Sequence, residues 1–201
     1  QNLDVLYQSI HEELGKIIDV KNFFIALYDQ NESYLYFPYY VDQYFKGNVR
    51  FTRRRLGNGV TEYAIAANRP LFLSTDDIEL LAKTNSLHLY GTTPQQLLCV
   101  PLRIGERITG IIGVKSYDDP KMFDERDLEL LEFISGQVAT AIARKQREEE
   151  LNKYLARLNA IFDSSSHLIW SVNKNFQLTS FNKNYANLIK NQIGVHPSLQ
   201  A

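Results

Sequence analysis

From Gln137 to Phe162 the chain carries neither proline nor glycine, so nothing in that stretch stops a helix. Just upstream, Leu128, Leu131, Ile134, Val138 and Ala141 recur at three- and four-residue steps, the period of one helical face. That line meets Lys145 and Glu148 and resumes at Leu151, Leu155, Leu158 and Phe162. Asp124 is a good N-cap, and Asp127 adds a second acid to the first turn, where the helix dipole favours it. The pattern predicts one helix over residues 124–162, about 58 Å long at ~1.5 Å per residue. A helix of that length is expected to leave the domain it closes.

The rest of the chain reads as strands in antiparallel pairs with helices between them. Leu3, Leu6, Ile10, Leu14 and Ile17 mark an amphipathic helix at the start. Residues 23–28 form a dense apolar and aromatic run, expected as a strand covered on both faces. The polar residues 29–32 turn the chain into a second aromatic run, 34–40, where Pro38 predicts an edge or a bulge. Residues 60–68 and 76–84 have helical spacing, with a short strand at 71–73 and a cap at Ser74 or Thr75. Residues 96–104 and 107–117 make another hairpin about Gly105-Glu106. Gly110 and Gly113 within it predict close approach by another backbone or by a ligand. After the long helix, 167–172 and 176–181 read as strands, and 184–190 as a short helix. The expected class is α+β, one antiparallel sheet flanked by helices.

Composition removes several functions. The formal charge of −1 gives no positive excess for nucleic acid. With one cysteine, Cys99, no intrachain disulfide and no thiolate-rich zinc site can form. No apolar run reaches the roughly 18–20 residues that cross a bilayer, so no direct membrane insertion is expected. No signal peptide is legible. His11, His88, His167 and His196 are scattered without ligand spacing, so no metal is expected. No nucleophile elbow, Walker motif or triad is readable, so no catalytic residue is assigned. The expected location is the cytoplasm, and the start at Gln1, already within a helical pattern, suggests a piece of a longer protein.

Three stretches carry a family resemblance. Arg54-Arg55-Leu56-Gly57-Asn58-Gly59-Val60-Thr61-Glu62-Tyr63-Ala64 followed by Asn68-Arg69-Pro70-Leu71 resembles the glycine turn, short helix and following strand of the GAF family. Leu98-Cys99-Val100-Pro101-Leu102-Arg103 with Gly110-Ile111-Ile112-Gly113-Val114 resembles its central hairpin, and 123–131 resembles the start of its final helix. Further on, residues 158–165, Leu168-Ile169-Trp170-Ser171-Val172 and Phe181-Asn182 resemble the start of a PAS domain. The expected organisation is a GAF domain over 1–144, a coiled-coil-like helical connector over 145–160 and a truncated PAS segment over 161–201. A half-built sheet leaves an open edge, so 161–201 is not expected to be stable alone.

The resemblance implies a regulatory domain of a signal-transduction protein, in the manner of bacterial sensor histidine kinases. No histidine box or ATP lid is present, so this fragment is expected not to be an enzyme; a kinase or another output domain, such as a diguanylate cyclase, would lie downstream. Small-molecule binding and a purely spacing, dimerising role both remain open. In the family's pocket Tyr28, Tyr39, Phe72, Thr75, His88, Val100, Val114 and Ser116 would line a cavity, or the aromatics among them would simply be core. The ligand is unknown; neither bilin nor haem is expected, and a lone Cys99 does not suit the family's sulfoxide reductases. Lys121, Phe123 and Asp127 fit the cyclic-nucleotide-binding members only loosely. Arg53, Arg54 and Arg55 before the glycine turn either hold an anion together with helix N–H groups or form a wet strand. A homodimer is expected through Leu6, Ile10, Leu14, Leu131, Val138, Leu151 and Leu155, with a weak point at 145–150.

Overall fold

The computed structural model describes residues 2–29, 33–45, 53–85, 87–195 and 197–198. Most of the turn expected at 29–32, the beginning of the basic run at 50–52, and His196 lie outside them. The chain divides into two compact units, Gln1–Gln146 and Arg147–Ala201.

The first unit is α+β. Its elements in order are α1 (Leu3–Leu14), β1 (Phe23–Asp29), β2 (Tyr34–Val41), β3 (Arg54–Arg55), α2 (Val60–Ala67), β4 (Leu71–Ser74), α3 (Thr75–Asn85), β5 (Gln96–Ile104) and β6 (Arg107–Ser116), with the first part of α4 (Glu125–Ser164). The six strands run β3-β2-β1-β6-β5-β4, and each neighbouring pair is antiparallel. Pro38 lies where β2 bulges: Ile25 pairs with Tyr39 but Leu27 with Tyr36. Proline has no N–H to give a ladder, and the bulge excuses it.

Both faces of the sheet are covered. On one, Phe23, Ile25 and Leu27 of β1, Leu98 and Val100 of β5, and Ile112 and Val114 of β6 meet Tyr7 and Leu14 of α1 and Leu131, Val138 and Ile142 of α4. On the other, Phe24, Ala26, Cys99 and Ile111 meet Ala64 of α2 and Ile78 of α3. Strands covered on both faces lose the in-out alternation that a one-sided sheet shows. The glycines of β6 sit where strands approach. A Cβ on Gly110 would lie 2.2 Å from the Ala26 carbonyl oxygen, and one on Gly113 would lie 2.6 Å from the Phe24 ring.

Helix ends are fastened by side chains. Asn2 accepts from the Val5 N–H (3.1 Å) and caps α1. His11 Nε2 donates to the Val20 carbonyl (2.9 Å), which leaves Nδ1 to accept from the Tyr39 hydroxyl (2.9 Å). Ser74 and Asp77 cap α3 reciprocally, Asp77 N–H to Ser74 Oγ (3.2 Å) and Ser74 N–H to Asp77 Oδ2 (2.9 Å). Asp124 accepts from Arg126 N–H (2.8 Å), and its own N–H donates to Asp127 (2.9 Å). Asp124→Ala should therefore lower unfolding free energy by about 1 kcal/mol, measured as a shift in urea midpoint; an unshifted midpoint would remove the cap assignment.

Helix α4 spans 40 residues, two beyond the expected end at one side and one short at the other. Its first half is packed: Leu131, Ser135, Val138, Ala139 and Ile142 are buried, and Gln146 Nε2 reaches the Tyr36 hydroxyl (3.2 Å). From 151 to 160 every residue is exposed.

The second unit holds the remainder of α4, the antiparallel pair β7 (Trp170–Val172) and β8 (Leu178–Phe181), and α5 (Lys183–Ile193). Its organising group is polar. Asn182, fully buried, accepts through Oδ1 from Ile169 N–H (3.1 Å) and Tyr185 N–H (3.1 Å). Its Nδ2 donates to the carbonyls of His167 (2.8 Å) and Phe162 (3.2 Å). Trp170 stacks on Tyr185 with centroids 5.3 Å apart. Among the described residues of this unit, Ala186 is the buried apolar side chain, while Trp170, Val172 and Phe176 are exposed.

Candidate functional site

A cavity of about 430 Å³ opens on the sheet face that carries α2 and α3. Its floor is aromatic and aliphatic: Phe24 of β1, Phe37 and Tyr40 of β2, Leu97 of β5 and Ile78 of α3. The loop between α3 and β5 supplies His88, Leu89, Tyr90 and Thr93 at its other side. Such a volume and such walls suit a small organic molecule.

One end is closed by a buried charge. Lys115, the last but one residue of β6, donates through Nζ to the Tyr40 hydroxyl (2.7 Å), to Asp42 Oδ2 (2.9 Å) and to the Tyr117 hydroxyl (3.4 Å). Its side chain is 16% exposed and that of Asp42 only 2%. Asp42 Oδ2 also accepts from the hydroxyls of Tyr117 (2.8 Å) and Tyr40 (3.1 Å), and Oδ1 accepts from Tyr44 N–H (3.0 Å). The ammonium lies 4.8 Å from the Tyr40 ring centroid and 5.5 Å from that of Phe24, a cation held against aromatic faces. Burial by itself would pull the lysine down, but Tyr40, Tyr117 and Asp42 outweigh it and hold it above the ordinary lysine range. Burial would likewise raise Asp42, yet hydrogen bonds from Lys115, Tyr117 and the Tyr44 N–H keep it below the usual carboxylate range. Burial pushes both Tyr40 and Tyr117 up. At neutral pH the end wall is thus a complete ion pair, and Lys115 is no amine nucleophile.

At the mouth, Arg54 makes a two-armed pair with Glu62 of α2 and lies 5.3 Å from the Tyr90 ring centroid. Glu62 also accepts from Gly57 N–H (3.0 Å). Burial raises this carboxyl, and the bonds from Arg54 and Gly57 more than reverse the shift. A Cβ on Gly59 would fall 2.8 Å from Glu62 Oε2 and 3.3 Å from Tyr90, so the glycine turn is what lets these groups close.

Of the residues expected to line a pocket, His88 does so. Tyr39, Phe72, Val100 and Val114 pack on the opposite face of the sheet, with α1 and α4. Tyr28 lies among the α2-side core residues away from the cavity. Thr75 opens α3 and donates to the Pro94 carbonyl (2.9 Å); Ser116 donates to the Asp119 carbonyl (2.6 Å). In two strands the residue that lines the cavity is the neighbour of the one expected to, Tyr40 beside Tyr39 and Lys115 beside Val114. The sequence signal for it is a lysine ending an apolar strand, which demands a buried partner, and Asp42 just past β2 supplies one. Of the basic run, Arg54 reaches the cavity, while Arg53 lies over Tyr34 at 4.5 Å.

The helix positions divide similarly. Leu14, Leu131 and Val138 are buried in the chain's own core, and Leu6 and Ile10 pack against it; Leu151 and Leu155 are exposed. Cys99, fully enclosed in β5, has its thiol pushed up to about 12 by burial and is inert at neutral pH. Among the described residues no three histidine, cysteine or carboxylate groups gather as a metal site, and no helix is long and apolar enough to cross a membrane.

The six-stranded antiparallel sheet is covered by helices on both faces, with the cavity on the face that carries α2 and α3 and the long helix α4 on the other. The chain belongs to the GAF domain family, whose model matches residues 1–143, and GAF domains are sensory modules of signalling proteins. Among solved structures it is similar to the second GAF domain of DevS from Mycobacterium smegmatis, at 14% identity and TM-score 0.54, over 75% of this chain and 99% of that one. It is also similar to residues 122 to 287 of a methyl-accepting chemotaxis protein, at 16% identity and TM-score 0.58, over 72% of this chain and 90% of that one. A third is the type II free methionine-R-sulfoxide reductase from Thermoplasma acidophilum, at 18% identity and TM-score 0.54, over 71% and 93% of the two chains. At these identities the likeness is one of fold. No curated protein matches the chain.

Proposed function

We propose that the GAF unit binds a small molecule in the cavity and passes its state through α4 to an output domain. The observation that carries this reading is that the cavity wall and the lead into α4 belong to one short segment, residues 115–123, fastened by hydrogen bonds at both ends. Lys115 and Tyr117 hold Asp42, and the next residue, Asp118, accepts from Gln43 Nε2 (3.1 Å) and from Lys21 Nζ (3.0 Å). Phe123, immediately before the α4 cap, is clamped by buried Gln96. A ligand that moves Tyr117 or Asp42 therefore acts on the segment that seats the helix, which gives it unequal affinity for two helix arrangements. In the parent, a cytoplasmic sensor histidine kinase, residues 161–201 begin a PAS domain and the fragment itself is regulatory, without catalysis. The same relay would serve a diguanylate cyclase.

The exposed row Leu151, Leu155 and Leu158, at 57%, 47% and 45% exposure, follows a coiled-coil step and supports a parallel homodimer along α4. It equally favours a second reading, a ligand-free dimerising spacer. Native mass spectrometry beside a denatured spectrum separates the two. A dimer with extra mass lost on denaturation is expected. A dimer at the bare sequence mass that stays so after incubation with a metabolite extract would favour the spacer, and a monomer at every concentration would remove the helical seam.

A further inference from the structure

The ionic side chains of the cavity wall are matched within the chain. Among the described lining residues these are Asp42, Lys115 and Arg54, with His88 at the exposed rim, where water screens whatever charge it carries. Lys115 holds Asp42 (2.9 Å), and Glu62 takes both arms of Arg54. No buried side-chain nitrogen or oxygen among the described residues lacks a hydrogen-bond partner. An anion in the cavity would have to take Lys115 from Asp42 or Arg54 from Glu62, and either exchange strands a carboxylate out of water. A cation fares no better. The ring faces that would attract one carry the protein's own cations, Lys115 at 4.8 Å from the Tyr40 centroid and 5.5 Å from that of Phe24, and Arg54 at 5.3 Å from that of Tyr90.

What the wall offers is rings. Phe24, Phe37 and Tyr40 pack ring to ring with centroids 5.9 to 6.2 Å apart, and Tyr90 stands on the loop side. A further ring laid on this floor continues the cluster in the offset and edge-on contacts that aromatic groups prefer. We propose, on the reading that a small molecule binds in the cavity, that its ligand is an uncharged flat aromatic compound, selected by ring contacts and by closed ion pairs that turn charged analogues away.

Three probes of one ring system and similar size test it on the full chain by calorimetric titration at neutral pH: naphthylmethanol, naphthoate and naphthylmethylammonium. The alcohol is expected to bind about tenfold or more tighter than either ion, since an ion's charge would be buried there without a partner. That order is read on the parent chain and decides the class without any variant. Glu62→Gln, which releases Arg54, should raise naphthoate affinity about tenfold; no gain would show that the pairing is not what turns the anion away. Nuclear Overhauser contacts from the naphthyl ring to the Phe37 and Tyr40 rings place the alcohol, and Thr61→Trp, which fills the mouth, should remove its binding. If either ion misses the expected deficit while making the same contacts, the cavity binds ligands but the uncharged class falls. If the alcohol makes no such contacts and binds undiminished to Thr61→Trp, it sits elsewhere, and the cavity reading falls with the class. If none of the three binds, the aromatic class falls, and the extra mass in native mass spectrometry decides the cavity reading separately.

Discussion

Asp42→Ala is expected to lower unfolding free energy by about 3–5 kcal/mol, because it strands a buried ammonium rather than merely deleting a contact. Lys115 would keep two phenolic acceptors and its ring faces but lose the carboxylate paired with it. Urea denaturation at neutral pH measures the loss. The double variant Asp42→Ala, Lys115→Met should recover most of it, since an apolar pair of similar volume replaces a buried ion pair at small cost. Equal stability of parent and single variant would mean that the lysine is not buried as charged. The pH dependence carries a sign. The Asp42 carboxyl is held below its unfolded range, so its contribution is full above the ordinary aspartate value of about 4 and fades as pH falls through the folded value. Lys115 is held above its range, so its contribution is full below about 10.4 and fades only in stronger alkali. The pair is thus at full strength from about pH 5 to about pH 10. In Asp42→Ala the unpaired lysine reverses direction: stability should climb as pH rises toward about 10, where losing the proton relieves the burial.

Gly110→Ala should be nearly as damaging, at about 3 kcal/mol or failure to fold. The methyl would sit 2.2 Å from the Ala26 carbonyl oxygen and 2.9 Å from a Leu27 methyl. That oxygen belongs to the backbone of β1, which pairs with β6 through this point, so it cannot swing aside without opening the ladder. Gly136 in α4 is the internal control. A Cβ there meets nothing within 4 Å, so Gly136→Ala should stabilise by up to about 1 kcal/mol through helix propensity and a stiffer unfolded chain. Thermal melts of the two variants should move in opposite directions; a neutral Gly110→Ala would show that β1 and β6 are not in this register.

The long helix was legible because it is long, holds no proline and follows an aspartate cap; its apolar period and cap agree. The two hairpins of the sheet were legible for a related reason, since Gly105-Glu106 and the bulge at Pro38 carry local backbone chemistry that tertiary packing does not overrule. Facing was not legible. In the middle of β5 and β6, Leu97 to Leu102 and Gly110 to Val114, residues of both facings are apolar or glycine, so there the periodicity does not tell the α1–α4 face from the α2–α3 face; Lys115 is the mark that does. That is why Val100 and Val114 looked as good for a cavity as Leu97. The same ambiguity touched the helices. Leu131 and Val138 show the spacing of a packed face, but that spacing is identical whether the partner is the chain's own sheet, as here, or another helix. Arg54 was visible as one of three arginines beside a glycine turn; only the fold distinguishes it from Arg53 and Arg55, by bringing Glu62 and Tyr90 to it.

Gln96 meets Phe123 as a strand would, its side-chain carbonyl accepting from the Phe123 N–H at 2.8 Å and its amide donating to the Phe123 carbonyl at 3.1 Å, both out of solvent. Amides in the approach to a helix usually trade their hydrogens for deuterium quickly, because water reaches them. This one cannot do so until the glutamine lets go, and letting go detaches the foot of α4 from the edge of β5. The Phe123 amide is therefore a built-in gauge of that detachment. Its protection, followed at a single backbone position, reports the free energy of loosening the closing helix from the start of β5.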